Sequence, residues 1–395
     1  MEYLYVSCFP DQYFETMQKV SIKSISQPSQ KFNYLIARGI KLNNEKVTVL
    51  NIIDYLAIEE GDNYSGVKTI EEGGIEYKFL PVFGFCSNYR KKIKKNIEGF
   101  LMEWARIHKE SVIIVDVLKP FSYYLFGVAR RLKIPTISIV TDLPEHIYFA
   151  SSLKSRVRRT VKIKEFQRMI KLSSGYIFLT DKMNYRLNKK HKEYQVIEGV
   201  SDIEANLMIE ANEVSNNICL YAGALHARYG IKNMIDAFAS EELRGIELHL
   251  YGDGDCVEYI KECSKMHNNI KYFGVVDNKT VVQRQKKASV LLNPRPIDEE
   301  FTEYSFPSKN MEYMTSGTPL LTTRLPGMSK EYLDYVYILD ASNVVNIISS
   351  IKSFFEIDIS ERRERGKEAQ KFIREIKNNK IQAKRIIDMA NKLYK

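Results

Sequence analysis

Residues 288–323 read ASVLLNPRPIDEEFTEYSFPSKNMEYMTSGTPLLTT. ASVLLNP and TPLLTT are short, nearly continuous apolar runs, as strands buried on both faces require. Between them PSKNMEYMTSG reads as a helix that opens at Pro307, where a missing N–H costs nothing, and is closed by Gly317. The whole is strand–helix–strand. From about residue 216 the rhythm runs up to it: ICLYAGA strand, KNMIDAFAS helix, IELHLYG strand, VEYIKECSKM helix, IKYFGVV strand and TVVQRQKK helix. A helical tail is expected from about 341 onward.

Residues 1–200 carry the same alternation. MEYLYVSCF, VTVLNII, SVIIVDV, PTISIVTD, SSGYIFLT and YQVIEGV read as strands. KFNYLIARGIKLN, 88–108 and FSYYLFGVARRL read as helices. KTIEEGGIEYKFLPV is hairpin-like, with a Gly-Gly turn. Strand–helix alternation with apolar strands predicts an α/β protein of two doubly wound units with parallel sheets. A length of 395 residues also points to two domains. Hydrophobic residues at 44% and charged residues at 27% exclude a disordered chain.

No apolar run reaches 18 residues, so no spanning helix is expected. The N-terminal stretch does not read as a secretory signal, which predicts a cytoplasmic protein. The five cysteines, Cys8, Cys86, Cys219, Cys256 and Cys263, form no CxxC and read as free thiols. The six histidines form no HxxxH pair, and no protein-bound metal is expected.

The net charge is +10, and it is clustered. Residues 90–95 form one basic patch. Residues 153–172 (LKSRVRRTVKIKEFQRMIKL) form a second, with eight Lys/Arg against Glu165 alone. Val157, Val161, Phe166 and Ile170 leave an imperfect helical stripe on it. This reads either as a solvated helix face or as a basic helix that lies on an anionic membrane. Nucleic acid is not expected, because no recognition motif accompanies the charge.

Ligands of open parallel sheets bind beyond the carboxyl ends of strands. The helix opening at Pro307 offers backbone amides at Ser308 and Lys309, and a cation on Lys309, at the positive end of its dipole. That suits a phosphate or diphosphate. Glu312, three residues on, could accept two hydrogen bonds from a vicinal diol such as a ribose. Local chemistry alone reads the same residues equally well as a surface i,i+3 Lys–Glu pair.

The stretch Tyr304–Pro319, with Glu312 followed by Ser316-Gly317-Thr318-Pro319, resembles the donor-binding signature of the retaining GT-B glycosyltransferases of the family 4 type. Tyr221-Ala222-Gly223 and Arg228-Tyr229-Gly230 resemble that family's phosphate-side loop. Tyr251-Gly252-Asp253-Gly254 resembles its third strand-end turn, and Gly274-Val275-Val276 the loop that meets the nucleotide base. Val196–Val200 is similar to the interdomain stretch. Together these cover most of 175–325.

The resemblance implies two Rossmann-like domains facing across a cleft. Residues 1–200 would bind the acceptor, joined by a final helix at 377–395, and residues 201–376 the nucleotide-sugar. It implies no cofactor and no metal. Gly223, Arg228, Gly252, Val275, Pro307, Ser308, Lys309 and Glu312 would bind the donor. Arg228, Lys309, Asp142 and Glu303 are carried as the catalytic-site candidates.

The chain departs from the family in places. Tyr304 stands eight before Glu312, where the family commonly has a Glu, and Glu303 is one position off. Tyr229, with Arg228 beside it, replaces the usual Lys. Thr141-Asp142 replaces a His-Asp pair, with His146 beyond it; Asp142 reads equally as a helix N-cap. Ser24–Lys31 replaces a Gly-Gly turn.

The implied function is retaining transfer of a sugar from a nucleotide-diphosphate sugar to an acceptor hydroxyl. UDP is taken on its frequency in the family alone. The acceptor would be a lipid-linked glycan of capsular or exopolysaccharide biosynthesis, met at an anionic membrane surface. The alternatives are a non-catalytic subunit of a transferase complex and an enzyme acting on a protein acceptor. A dinucleotide-binding or P-loop enzyme is excluded, since neither glycine motif is present.

Overall fold

The computed structural model describes residues 1–394 apart from 7, 12, 15–26, 53–67, 82–87, 148–151 and 205–214. Cys86 and positions 24–26 of the SISQPSQK stretch lie outside the described residues. The chain divides into two compact units, Met1–Val200 with Asn379–Lys395, and Ser201–Asn378.

The first unit carries strands β1 (Glu2–Val6), β2 (Lys46–Asn51), β3 (Lys68–Glu72), β4 (Ile75–Phe79), β5 (Ser111–Asp116), β6 (Thr136–Val140), β7 (Gly175–Phe178) and β8 (Tyr194–Val196). Its helices are α1 (Gln27–Leu42), α2 (Tyr89–Ile107), α3 (Ser122–Arg131), α4 (Pro144–Ile147), α5 (Leu153–Leu172) and α6 (Asp181–Leu187). The strand order is β3-β4-β2-β1-β5-β6-β7-β8. Every pairing is parallel except β3 with β4, joined by the Gly73-Gly74 turn. Strands β5, β6 and β7 are buried along their whole length, whereas the edge strand β3 is partly exposed throughout and carries Lys and Glu.

The second unit carries β9 (Ile218–Ala222), β10 (Glu247–Tyr251), β11 (Ile270–Tyr272), β12 (Val290–Asn293), β13 (Leu320–Thr322) and β14 (Tyr337–Ile338). Its helices are α7 (Ile231–Phe238), α8 (Val257–Met266), α9 (Asn278–Lys287), α10 (Ser308–Ser316), α11 (Val344–Glu356) and α12 (Ile359–Ile376). All its strands are parallel, in the order β11-β10-β9-β12-β13-β14. The order reverses between β9 and β12, which opens a crevice at their carboxyl ends.

The tail expected to be helical from about 341, with a final helix at 377–395, is three helices. Asp358 caps α12 at its start, and the chain then breaks at Lys377-Asn378. Ser201 N–H donates to Lys377 O at 3.0 Å, and the Lys377 ammonium pairs with Glu331 at 2.6 Å, so Lys377 belongs to the second unit. The last helix, α13 (Asn379–Lys392), returns to the first. Ala383, Ile386, Ile387, Met389 and Ala390 join its core with Tyr3, Tyr5, Val49 and Ile114.

The basic helix α5 also differs from its expected stripe. Phe166, Met169 and Ile170 are buried. Leu153 (79% exposed), Val157 (60%) and Val161 point the other way, into solvent.

Helix α13 crosses α1 at Gly39. A Cβ there would stand 2.1 Å from the Asn379 carbonyl oxygen, with Ala383 Cβ at 2.8 Å. Gly39→Ala should therefore force the two helices apart and destabilise the first unit by about 1–3 kcal/mol, the range for overpacking a close-packed core. Urea unfolding of the variant checks this. An unchanged midpoint would mean the helix pair yields without cost.

Candidate active site

Helix α10 stands over the switch point of the second sheet, held by buried polar side chains. The Tyr313 hydroxyl donates to Ala222 O (3.1 Å) and accepts from Ala222 N–H (2.8 Å), which ties the helix to the end of β9. Asn310, one turn earlier on the same face, joins Asn293 of β12 at 2.7 Å and Thr322 of β13 at 3.4 Å.

The neighbouring face of α10 carries Lys309 and Glu312. Pro307 is the N-cap rather than a first-turn residue, and no side chain caps the helix, so the Ser308 and Lys309 amides face outward at the positive end of the dipole. The Lys309 ammonium lies 3.5 Å from the centre of the Tyr221 ring, directly against Gly223. Gly223 has φ = 140°, and a Cβ there would sit 2.6 Å from Lys309 Nζ, so position 223 needs glycine on both counts.

Glu312 does not pair with Lys309. Its Oε1 accepts from Gln285 Nε2 at 2.8 Å, and Gln285 is held in turn by Thr318 Oγ1 on its carbonyl. The surface Lys–Glu pair left open by the sequence is not formed among the described residues. Desolvation brings the Lys309 pKa down to about 7; the Glu312 charge opposes this and the Arg295 charge reinforces it.

The loop after β9 is stitched to the loop after β10. Gly223 N–H donates to Tyr251 O (2.9 Å) and Leu225 N–H to Asp253 O (2.8 Å). Asp255 accepts from the Ala227 amide at 2.8 Å, which holds its carboxyl below the usual range, and it lies 3.1 Å from His226 Nδ1. Gly252 N–H donates to Gly274 O at 2.8 Å, and Val275 beyond it is 75% exposed. Arg228 is exposed at the end of the first loop, with its guanidinium 5.0 Å from the Phe301 ring. Phe301 belongs to the short 3-10 turn Glu300–Glu303, so that turn also carries Glu303, partly buried, ahead of α10.

The structure thus gathers Gly223, Arg228, Gly252, Val275, Pro307, Ser308, Lys309 and Glu312 on the carboxyl side of one sheet. Asp142 is in the first unit, in the turn between β6 and α4, and is partly buried. At that unit's own switch point, between β1 and β5, a network missed by the sequence reading surrounds Asp116. It accepts from Asn33 Nδ2 (3.1 Å), Leu118 N–H (3.0 Å) and Ser29 Oγ (3.4 Å), and Tyr5 OH donates to Asn33 Oδ1 at 2.7 Å. The sequence reading also passed over Gln285, Asn310 and Tyr313. For Asn310 and Tyr313 the one signal was polar residues at helical spacing, i to i+3, on a helix that has to be buried; Gln285, on α9, had none.

Residues 202–372 match the family model described as glycosyl transferases group 1. The chain carries a group 1 glycosyltransferase domain. Its fold is GT-B, and it is a glycosyltransferase. Sucrose-phosphate synthase from Thermosynechococcus elongatus is similar at 14% identity and a TM-score of 0.65, covering 100% of this chain and 98% of that one. Anabaena HepE, solved in complex with UDP, is similar at 13% identity and 0.62, covering 99% of each chain. A mutant of S. aureus TarM, solved with fondaparinux, α-GlcNAc-glycerol and UDP, is similar at 10% and 0.63, also covering 99% of each chain. No curated protein matches the sequence.

A group with a pKa near 7 at the open N-terminus of α10 would couple the binding of an anion there to protons. A bound phosphate raises the Lys309 pKa, so above pH 7 the glycosyltransferase must take up a proton when the anion binds. Below pH 7 the ammonium is already formed and the coupling disappears. Calorimetry of UDP binding at pH 8, in two buffers of different ionisation enthalpy, should show an uptake near one proton. Affinity should fall up to about tenfold per pH unit above 7. Lys309→Met should lose the uptake; an identical proton count in both proteins would remove Lys309 from the anion site.

Proposed function

We propose that this glycosyltransferase moves a sugar from a UDP-sugar to the hydroxyl of a lipid-linked glycan, with retention of configuration at the anomeric carbon. The observation that carries the reading is the pairing on α10: a cation at an open helix N-terminus, and a carboxylate one turn on that Gln285 holds apart from it. The first suits a diphosphate, the second a ribose diol. Capsular or exopolysaccharide assembly is the setting in which such an acceptor occurs.

In the reaction the bond from the anomeric carbon to the β-phosphate oxygen breaks, and charge builds on the departing diphosphate. Lys309, Arg228 and the Ser308 amide stabilise that charge without rearranging; the Gly223 amide, spent on Tyr251 O at 2.9 Å, takes no part, and Gly223 serves by its lack of a side chain. The acceptor oxygen forms its bond on the same face of the sugar, and its proton passes to the departing phosphate. Asp142 is the polar contact on the acceptor unit, and Glu303 stands in for the absent first Glu of the family pair. The residues named do this work without a cofactor or a metal.

Lys309→Ala and Arg228→Ala should each lower kcat about 10²-fold or more, with a smaller change in donor affinity, because the charge peaks during cleavage. Glu312→Ala should instead weaken UDP binding, by the roughly 1.5–3 kcal/mol of each charged hydrogen bond lost. Turnover of UDP-sugars and calorimetric UDP binding separate the two effects. Wild-type values in all three variants would end this assignment.

The acceptor side rests on α5. At 3.6 residues per turn, Leu153, Val157, Val161, Lys164, Arg168 and Lys171 fall in one arc of roughly 80°. All six are exposed. That face is apolar over its first half and basic over its second, as a helix needs to settle in an anionic lipid surface. No described helix is long and apolar enough to cross a membrane. The protein should pellet with anionic liposomes at low salt. Val157→Asp with Lys164→Glu should abolish pelleting and leave UDP binding intact. A wild type that ignores the liposomes would leave a soluble glycan or a protein as the acceptor.

A further inference from the structure

A third cation stands at the donor site. Arg295 lies two residues beyond β12, the strand next to β9 at the switch point. Close approach places it there. A Cβ on Gly230 would sit 2.1 Å from Pro294 O, so the loop 224–230 and Pro294 touch only because position 230 lacks a side chain. Thr323 Oγ1 then holds the Arg295 carbonyl at 2.7 Å.

From this anchor the Arg295 guanidinium lies 4.6 Å from the Phe301 ring centre and 5.2 Å from that of Tyr229. Arg228 reaches the same two rings, at 5.0 and 5.1 Å. Two guanidiniums from adjacent loops therefore share two aromatic supports. Arg295 is also near enough to Lys309 and Tyr221 for its charge to act on both.

Positive groups from the loop after β9, the loop after β12 and the start of α10 thus converge on one place. Three cations carried by three separate elements suit a ligand with more than one negative charge. Aromatic rests also pre-orient a planar guanidinium, so less freedom is lost when it grips a phosphate.

We propose that Arg295 binds the diphosphate of the donor together with Lys309, and that Tyr229 and Phe301 aim it. The inference rests on the proposed nucleotide-diphosphate donor and adds to it a selectivity: the site grips a diphosphate and discriminates against a monophosphate.

The test is calorimetric binding of UDP, UMP and inorganic pyrophosphate to the full chain, as wild type, Arg295→Met and Arg295→Lys. The methionine keeps the aliphatic stem on the rings and removes the charge. It should weaken UDP and pyrophosphate about 10–100-fold, the scale of one or more lost charge-assisted hydrogen bonds, and UMP less than about threefold. The lysine variant should recover part of the loss. It remains the informative variant if the methionine protein does not fold, because it should keep the preference for UDP over UMP at reduced strength. Equal weakening of UDP and UMP would show a packing role and overturn the proposal, as would unchanged UDP binding. A wild type that binds neither UDP nor pyrophosphate overturns the donor reading itself, in an arm that contains no substitution.

Discussion

The candidate site depends on one hydroxyl. Tyr313 OH takes both the N–H and the carbonyl of Ala222, the last residue of β9, and so behaves as a ladder partner where the sheet has run out. Without it two buried backbone groups would lose their partner, at a cost of about 1–3 kcal/mol each. With it, the position of α10 is set by the sheet rather than by loops. Asn310 adds the ends of β12 and β13 to the same clamp. Lys309 and Glu312 inherit their places from these two residues, which lie on the buried side of the helix. The charged residues could not hold the helix themselves, since each must stay available to a ligand.

Charge at this site is arranged for a partner that brings the opposite sign. Lys309 sits against Tyr221 and Gly223 and is partly discharged by burial at neutral pH. Arg295 and Arg228 rest on rings, which offer attraction to a cation without neutralising it. Two of the carboxylates nearby have partners of their own. Glu312 is bonded by Gln285, and Asp255 by the Ala227 amide.

Much of the fold could be read from the chain because parallel sheets demand apolar strands of a length that helices do not share. ICLYA, VLLN and SVIIVD announce themselves this way. The Gly73-Gly74 turn and the closure of α10 at Gly317 were equally legible, since backbone geometry there restricts the residue type. The parts that escaped depend on contacts between distant segments. Nothing local distinguishes Gln285 from any other polar residue near a helix end; only its meeting with Glu312, 27 positions on, gives it a task. Arg295 looked like one charge in a polar loop, because its rings come from positions 229 and 301. The faces of α5 were misjudged for a related reason. Val157 and Val161 have the same chemistry as the buried Phe166 and Ile170, and only the packing partner tells them apart.

The return of α13 to the first unit has a consequence for how the protein is made. The N-terminal sheet emerges from the ribosome early, but the side chains that complete its core, from Ala383 to Ala390, are translated after the entire second unit. At usual synthesis rates that delay is roughly 10–40 s. Throughout it, the apolar surface of α1 and the ends of β7 and β8 wait uncovered, while the second unit has all its own strands and can close first. The second unit is thus finished before the unit that precedes it in the gene. A nascent chain stalled in between would present an exposed helix face to chaperones.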